Sequence, residues 1–348
     1  MKRGQRVGGG GRGRLTPALC GAAALLILSA LRPPSSALAQ TRLVVISGLA
    51  GEPQYAESFH AWAASLVDAA RSRYGMADSS IVWLAEHPAR APGRISGRST
   101  KETIERTLDG LATRMRAGEQ LVVVLVGHGS MQGDAARLTL PGPDLSAVDL
   151  ARVLAKHGTR RIAVIVAASS SGDFVPVLSG PGRVVITATK SGFERNESIF
   201  GGHFVAAFAA DGADADKDGR VSLLEAFIYA TREVRRFYEQ ENRLLTEHAL
   251  LDDNGDKSGS GEPGARGGDG GLARSFFLTG GVAAATSSDP RATALRKEKE
   301  QLESKIEALK AKKESMDAKA YEAELERLLI DLAAASRALR TLEGKGQP

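Results

Sequence analysis

The chain has 348 residues, with 46 Lys+Arg against 41 Asp+Glu and a single cysteine. Its pI near 9.3 is carried by residues 1–39, which hold six basic and no acidic side chains; the remainder has 40 basic against 41 acidic groups. That balance excludes a charge-driven nucleic-acid partner, and with Cys20 inside the leader, residues 40–348 can form neither a disulfide nor a thiolate site.

The leader reads as an export signal, with Arg3, Arg6, Arg12 and Arg14 ahead of an apolar stretch from Ala18 to Leu31 and a small-x-small site at Ala37-Leu38-Ala39. Even counted from Leu15 to Leu31, the apolar stretch is at the short edge of the length that spans a bilayer, so the leader is expected to be cleaved before Gln40 rather than kept as an anchor. The expected location is periplasmic or secreted, with no stable membrane span in the mature chain.

From residue 40 to 280 apolar runs alternate with amphipathic segments, the pattern of a mainly parallel sheet covered by helices on both faces. Strands are expected at Leu43 to Ser47, Ile81 to Leu84, Leu121 to Val126, Ile162 to Val166 and Val184 to Ala188. Helices are expected at roughly 54–73, 100–117, 145–157 and 201–210. Residues 121–126 are apolar on both faces, as a central parallel strand requires.

The carboxyl ends of parallel strands are where loops and functional groups converge. One strand runs into Gly127-His128-Gly129-Ser130 and another into Ala167-Ala168-Ser169-Ser170-Ser171-Gly172-Asp173. Glycines on either side of His128 allow close approach of backbone or ligand. The serines read equally as a polar turn capping the following helix.

These two strand ends, about forty residues apart, resemble the legumain branch of the caspase-like cysteine peptidases, where a histidine follows one strand and an Ala-Cys-x-Ser-Gly nucleophile motif the next. The resemblance covers roughly Thr41 to Thr279. It implies a three-layer caspase-haemoglobinase fold, with Val185 to Thr189 as the next strand and Glu194 to Phe208 shaping the substrate side. It also implies a dyad of His128 and position 169, with backbone N–H groups of Gly129 and Ser169 as the oxyanion site. Here position 169 is serine. An alcohol is not ionised near neutrality and needs an oriented base that this family does not supply, and no Gly-x-Ser-x-Gly elbow replaces it. The expectation is a peptidase homologue, weak or inactive, that binds peptide or protein in the ancestral cleft. The alternative is an active serine peptidase or esterase using His128 and Ser169.

Asp214, Asp216, Asp218, Arg220, Ser222 and Glu225 fall at positions 1, 3, 5, 7, 9 and 12 of a calcium-loop pattern over 214–225. Gly219 stands at the sharp turn and Val221 at the inward position, and Arg220 would contribute only its carbonyl. A structural Ca2+ is therefore expected, with helices on either side. Asp252-Asp253-Asn254-Gly255-Asp256 reads as a polar turn, with metal binding as the lesser alternative, because Glu262 falls one place early for a closing ligand and Pro263 holds its position. His203 and His248 lack metal-ligand spacing, and His60, His87 and His157 read as surface or packing residues.

Residues 255–271 contain eight glycines and read as a flexible loop. Ala273 to Thr279 is expected to return to the core as a short strand, and 281–289 is a linker. Over 290–343 two heptad seams run out of phase, one through Leu295, Leu302, Ile306, Leu309 and Met316, the other through Leu325, Leu328, Leu332, Ala335, Leu339 and Leu342. Lys299 and Lys313 interrupt the first. A C-terminal hairpin packed on itself or on the domain, and a coiled coil joining copies or a partner helix, both satisfy this pattern.

Overall fold

The computed structural model describes residues 40–264, 268–280, ten residues between 291 and 309, and 316–343. The expected leader and linker lie outside them. A seven-stranded sheet forms the centre, in the order β10, β9, β8, β4, β1, β2, β3. Its members are β1 (Thr41–Ser47), β2 (Ile81–Ala85), β3 (Gly97–Arg98), β4 (Gln120–Gly127), β8 (Ile162–Ala168), β9 (Arg183–Thr187) and β10 (Leu250–Asp252). All pair in parallel except β10, which runs antiparallel to β9 at the edge.

Successive side chains of a strand point to opposite faces, and here both faces are buried. Leu43, Val45, Val122, Val124, Ala163 and Ile165 pack under α1 (Pro53–Ser72), α5 (Phe200–Ala209) and α6 (Leu223–Gln240). Their neighbours Val44, Ile46, Val123, Leu125, Val164 and Val166 pack under α2 (Lys101–Arg114), α3 (Ala147–Leu154) and α4 (Val175–Leu178). The expected three-layer α/β architecture is therefore present. The helix starts follow local chemistry. Pro53 opens α1, and Ser146 with Asp149, like Ser222 with Glu225, closes a reciprocal capping box.

Strand order reverses beside β1. The chain first builds outward through β2 and β3, then crosses to place β4 on the other side. The crevice at the carboxyl ends of β1 and β4 is thus the topological switch point, where α/β sheets present their ligands. A three-stranded antiparallel sheet of β5 (Gly129–Gln132), β6 (Ala135–Leu138) and β7 (Leu145–Ser146) lies after β4. Its tight turn is Gly133-Asp134, with Gly133 at φ +61.

Two expectations change. Ala273 to Thr279 is not a strand: α7 (Gly271–Arg274) is a helical turn, and only Phe277 forms a bridge, to Ser222. Phe276 and Leu278 still enter the core. The glycine-rich segment is anchored at its start, since Ser260 exchanges both backbone hydrogen bonds with Leu251. In the tail, Leu302, Ile306 and Leu309 share one apolar cluster with Tyr321, Leu328, Ala335 and Leu339 of α8 (318–343), so the two seams pack on each other. No helix among the described residues is long and apolar enough to cross a membrane.

Candidate functional site

The register of β4 on β8 pairs Gly127 with Ala168, so His128 and Ser169 leave neighbouring strands at the same level, at the switch-point end. Gly129 is required there. A Cβ on it would stand 2.0 Å from the Ser169 carbonyl oxygen and 3.4 Å from that of Arg137. The strand ends thus approach closely because position 129 has no side chain.

The two side chains turn to different partners. The His128 ring turns toward the β1–α1 loop, with Nε2 3.1 Å from the Ala50 carbonyl, and packs edge-on against Tyr55 and Phe59. Ser169 is 5 % exposed, and its Oγ accepts the Gly129 N–H at 3.2 Å and donates to the Gly129 carbonyl at 3.3 Å. Among the described residues no hydrogen bond joins the imidazole to the hydroxyl. The Gly129 N–H, one of the two expected oxyanion donors, is taken up by Ser169 itself.

The rest of the serine turn is held from outside. Ser170 has φ +51, an uncommon conformation for a residue with a side chain, and its N–H donates to the Glu194 carbonyl at 2.8 Å. Ser171 Oγ accepts the N–H groups of Ala188 and Thr189, while Thr189 Oγ1 accepts those of Ser171 and Gly172. Glu194 in turn binds His248 Nδ1 at 2.6 Å and the His248 N–H at 3.0 Å. Residues 190–198 and 246–249 therefore brace the strand-end turn, a role the sequence did not single out for Glu194, Glu247 or His248. Beside them Phe193 is 87 % exposed.

Glu247 is buried, and its carboxylate accepts the Ser198 hydroxyl at 2.6 Å and the Ile199 and Phe200 N–H groups at 3.1 and 3.2 Å. It thereby caps the start of α5 from 47 residues away. Burial pushes its pKa above the usual carboxylate value, while these donors pull it back.

The second expected site is the loop after α5. Asp214, Asp216 and Asp218 bring carboxylate oxygens within 4.8 Å of one another. Lys217 and Gly219 take positive φ, +56 and +83, and Val221 is fully buried, as expected for the inward position. Glu225 folds back, its Oε1 accepting the Ala215 and Asp216 N–H groups and its Oε2 the Ser222 N–H and hydroxyl. Burial raises the Asp214 pKa, its Gly219 bond opposes this, and the charges of Asp218, Glu225 and Asp216 add to the rise. A set of hard oxygens around a glycine turn fits Ca2+. Two cations of the chain already face it. Arg220 pairs with Asp218 at 3.0 Å, and Lys299, the residue that interrupts the first tail seam, reaches Asp216 at 2.9 Å and Asp218 at 3.8 Å.

No protein-family model matches the chain, and no curated protein matches it. Among solved structures it is similar to the Drosophila initiator caspase Dronc, with a TM-score of 0.42 and 11 % identity over 64 % of this chain and 83 % of that one. It is also similar to protein GSU0716 from Geobacter sulfurreducens, with a TM-score of 0.39 and 11 % identity over 61 % of this chain and 92 % of that one.

Proposed function

We propose that this is an exported, legumain-like peptidase homologue that holds a peptide or protein segment at the β4/β8 strand ends without hydrolysing it. One observation carries the reading: Ser169 is bonded to Gly129, and His128 is turned to Ala50. A serine acquires nucleophilic strength from a base that takes its proton, and among the described residues none hydrogen-bonds to it. Export rests on the leader residues.

A segment in this cleft would meet the exposed ring of Phe193, on the loop that braces Ser170. Exposed aromatic anchors supply much of the energy of peptide recognition. Phe193→Asp is expected to weaken binding of peptides selected from a random display library at least tenfold, measured by fluorescence anisotropy. Unchanged affinity would contradict this placement.

We further propose that the 214–225 loop binds a structural Ca2+ through Asp214, Asp216, Asp218, the Arg220 carbonyl, Ser222 and Glu225. An ion that binds only the folded chain raises its apparent stability. Calcium is therefore expected to raise the melting temperature over that in chelator. Asp214→Ala should abolish the part of the rise that saturates with this loop, and a rise left intact would remove the assignment. The tail's hairpin places Lys299 on the same carboxylates, which supports packing on the chain's own domain over a partner helix.

A further inference from the structure

Just past β10 the chain repeats the first half of the calcium-type loop. Lys217 and Gly219, three and five residues after Asp214, have φ +56 and +83; Gly255 and Lys257, three and five residues after Asp252, have φ +83 and +71. Two of the side-chain bonds repeat as well. Asp216 Oδ1 accepts the Asp218 N–H and Asp218 Oδ1 the Arg220 N–H. In the same places, Asn254 Oδ1 accepts the Asp256 N–H and Asp256 Oδ1 the Ser258 N–H. A shared turn does not by itself call for an ion.

Asp252 does. It is 1 % exposed, its Oδ1 accepts the Gly255 N–H within the loop at 3.2 Å, and its Oδ2 is buried without a hydrogen bond. The neighbouring Ser179 hydroxyl closes no bond to that oxygen and accepts the Lys257 N–H instead. Two further carboxylates are buried alongside. Asp253 uses both oxygens on the Gly270 and Ala273 N–H groups, and Asp269 Oδ1 accepts the Asp253 N–H. Among the described residues no lysine or arginine pairs with Asp252, Asp253 or Asp269. Buried negative charge without a counter-charge is strongly disfavoured, and a cation relieves it.

We propose that Asp252–Ser258 is a second hard-cation site, of the oxygen-ligand kind that takes Ca2+. The ion is held by Asp252 Oδ2, the Asn254 carbonyl oxygen, the Asp256 carboxylate and the Ser258 backbone carbonyl. Asp253 caps α7 and is not a ligand. With Pro263 where a twelve-residue loop places its closing glutamate, water completes the shell, and the site is weaker than one with a bidentate closing ligand. Its ion ties the end of edge strand β10 to the glycine-rich segment that follows.

The test is calorimetric titration of the full chain with CaCl2 after chelator treatment. Wild type is expected to bind two ions, Asp252→Asn and Asp214→Asn one each, and Asp256→Ala two with one affinity lowered at least tenfold. In chelator Asp252→Asn should melt above wild type, because a neutral amide replaces the unpaired buried charge. An ion lost in Asp214→Asn while Asp252→Asn still binds as wild type does would overturn this site and leave the first standing. No calcium bound by wild type overturns both. If Asp252→Asn does not fold, Asp256→Ala decides, since its side chain is exposed and two unaltered affinities there would overturn the site.

Discussion

Gly129→Ala is expected to destabilise the domain by about 3 kcal/mol or more and to lower its melting temperature by roughly 6 to 12 °C. The added methyl would fall 2.0 Å from the Ser169 carbonyl oxygen, 3.1 Å from its carbonyl carbon and 3.4 Å from the Arg137 oxygen. All three are backbone atoms, so no rotamer change makes room. Relief requires β4 and β8 to part at their ends, and both strands are buried along their whole length. Overpacking in such a core is among the few single changes that cost this much. Thermal melting followed by circular dichroism reads the effect. A shift under 2 °C would mean that the strand ends are further apart than described.

Glu247→Ala should cost about 3 kcal/mol. It leaves the Ile199 and Phe200 N–H groups and the Ser198 hydroxyl without their acceptor, and each unmet buried donor costs about 1–3 kcal/mol. Relief of the buried charge offsets part of that sum, but three lost bonds outweigh it. The pH dependence separates the two effects. Because burial raises the folded-state pKa of Glu247 above its usual 4.5, the folded chain holds a proton just above that pH which the unfolded chain has released. The resulting stabilisation is complete below about 4.5 and is lost as pH rises through the folded value. Wild type minus variant should therefore be largest at the acid end and shrink toward neutrality. A difference that grows with pH contradicts a raised pKa.

The central strands were legible because Leu43 to Ser47, Leu121 to Val126 and Ile162 to Val166 are apolar on both faces, a pattern that a half-exposed strand does not show. β10 was not: it has three residues and ends on the carboxylate of Asp252. The hairpin of β5 and β6 carried a readable signal in Gly133-Asp134, but its strands are short and half-buried. Gly-His-Gly and the serine run marked the two strand ends from local composition alone. What sequence could not show were bonds across long separations: Ser170 to Glu194, Glu247 to the start of α5, and Lys299 to Asp216. Spacing rules reach one turn of helix or one hairpin, and these partners lie 24, 47 and 83 residues apart. The Asp252 loop was legible as a polar turn, with metal binding only the lesser alternative, for a different reason. Matching all twelve positions rejects it at Pro263, whereas its first five positions and an unmet buried oxygen set it apart.

Ser169 is held by backbone groups, with no hydrogen bond to His128 among the described residues. Treating the full chain with a fluorophosphonate and mapping the adducts by mass spectrometry tests that arrangement most directly. The expected result is no adduct on Ser169 in a protein whose circular dichroism is that of the folded chain. Labelling of Ser169 that vanishes in His128→Ala would contradict it, and would make the protein a working serine hydrolase.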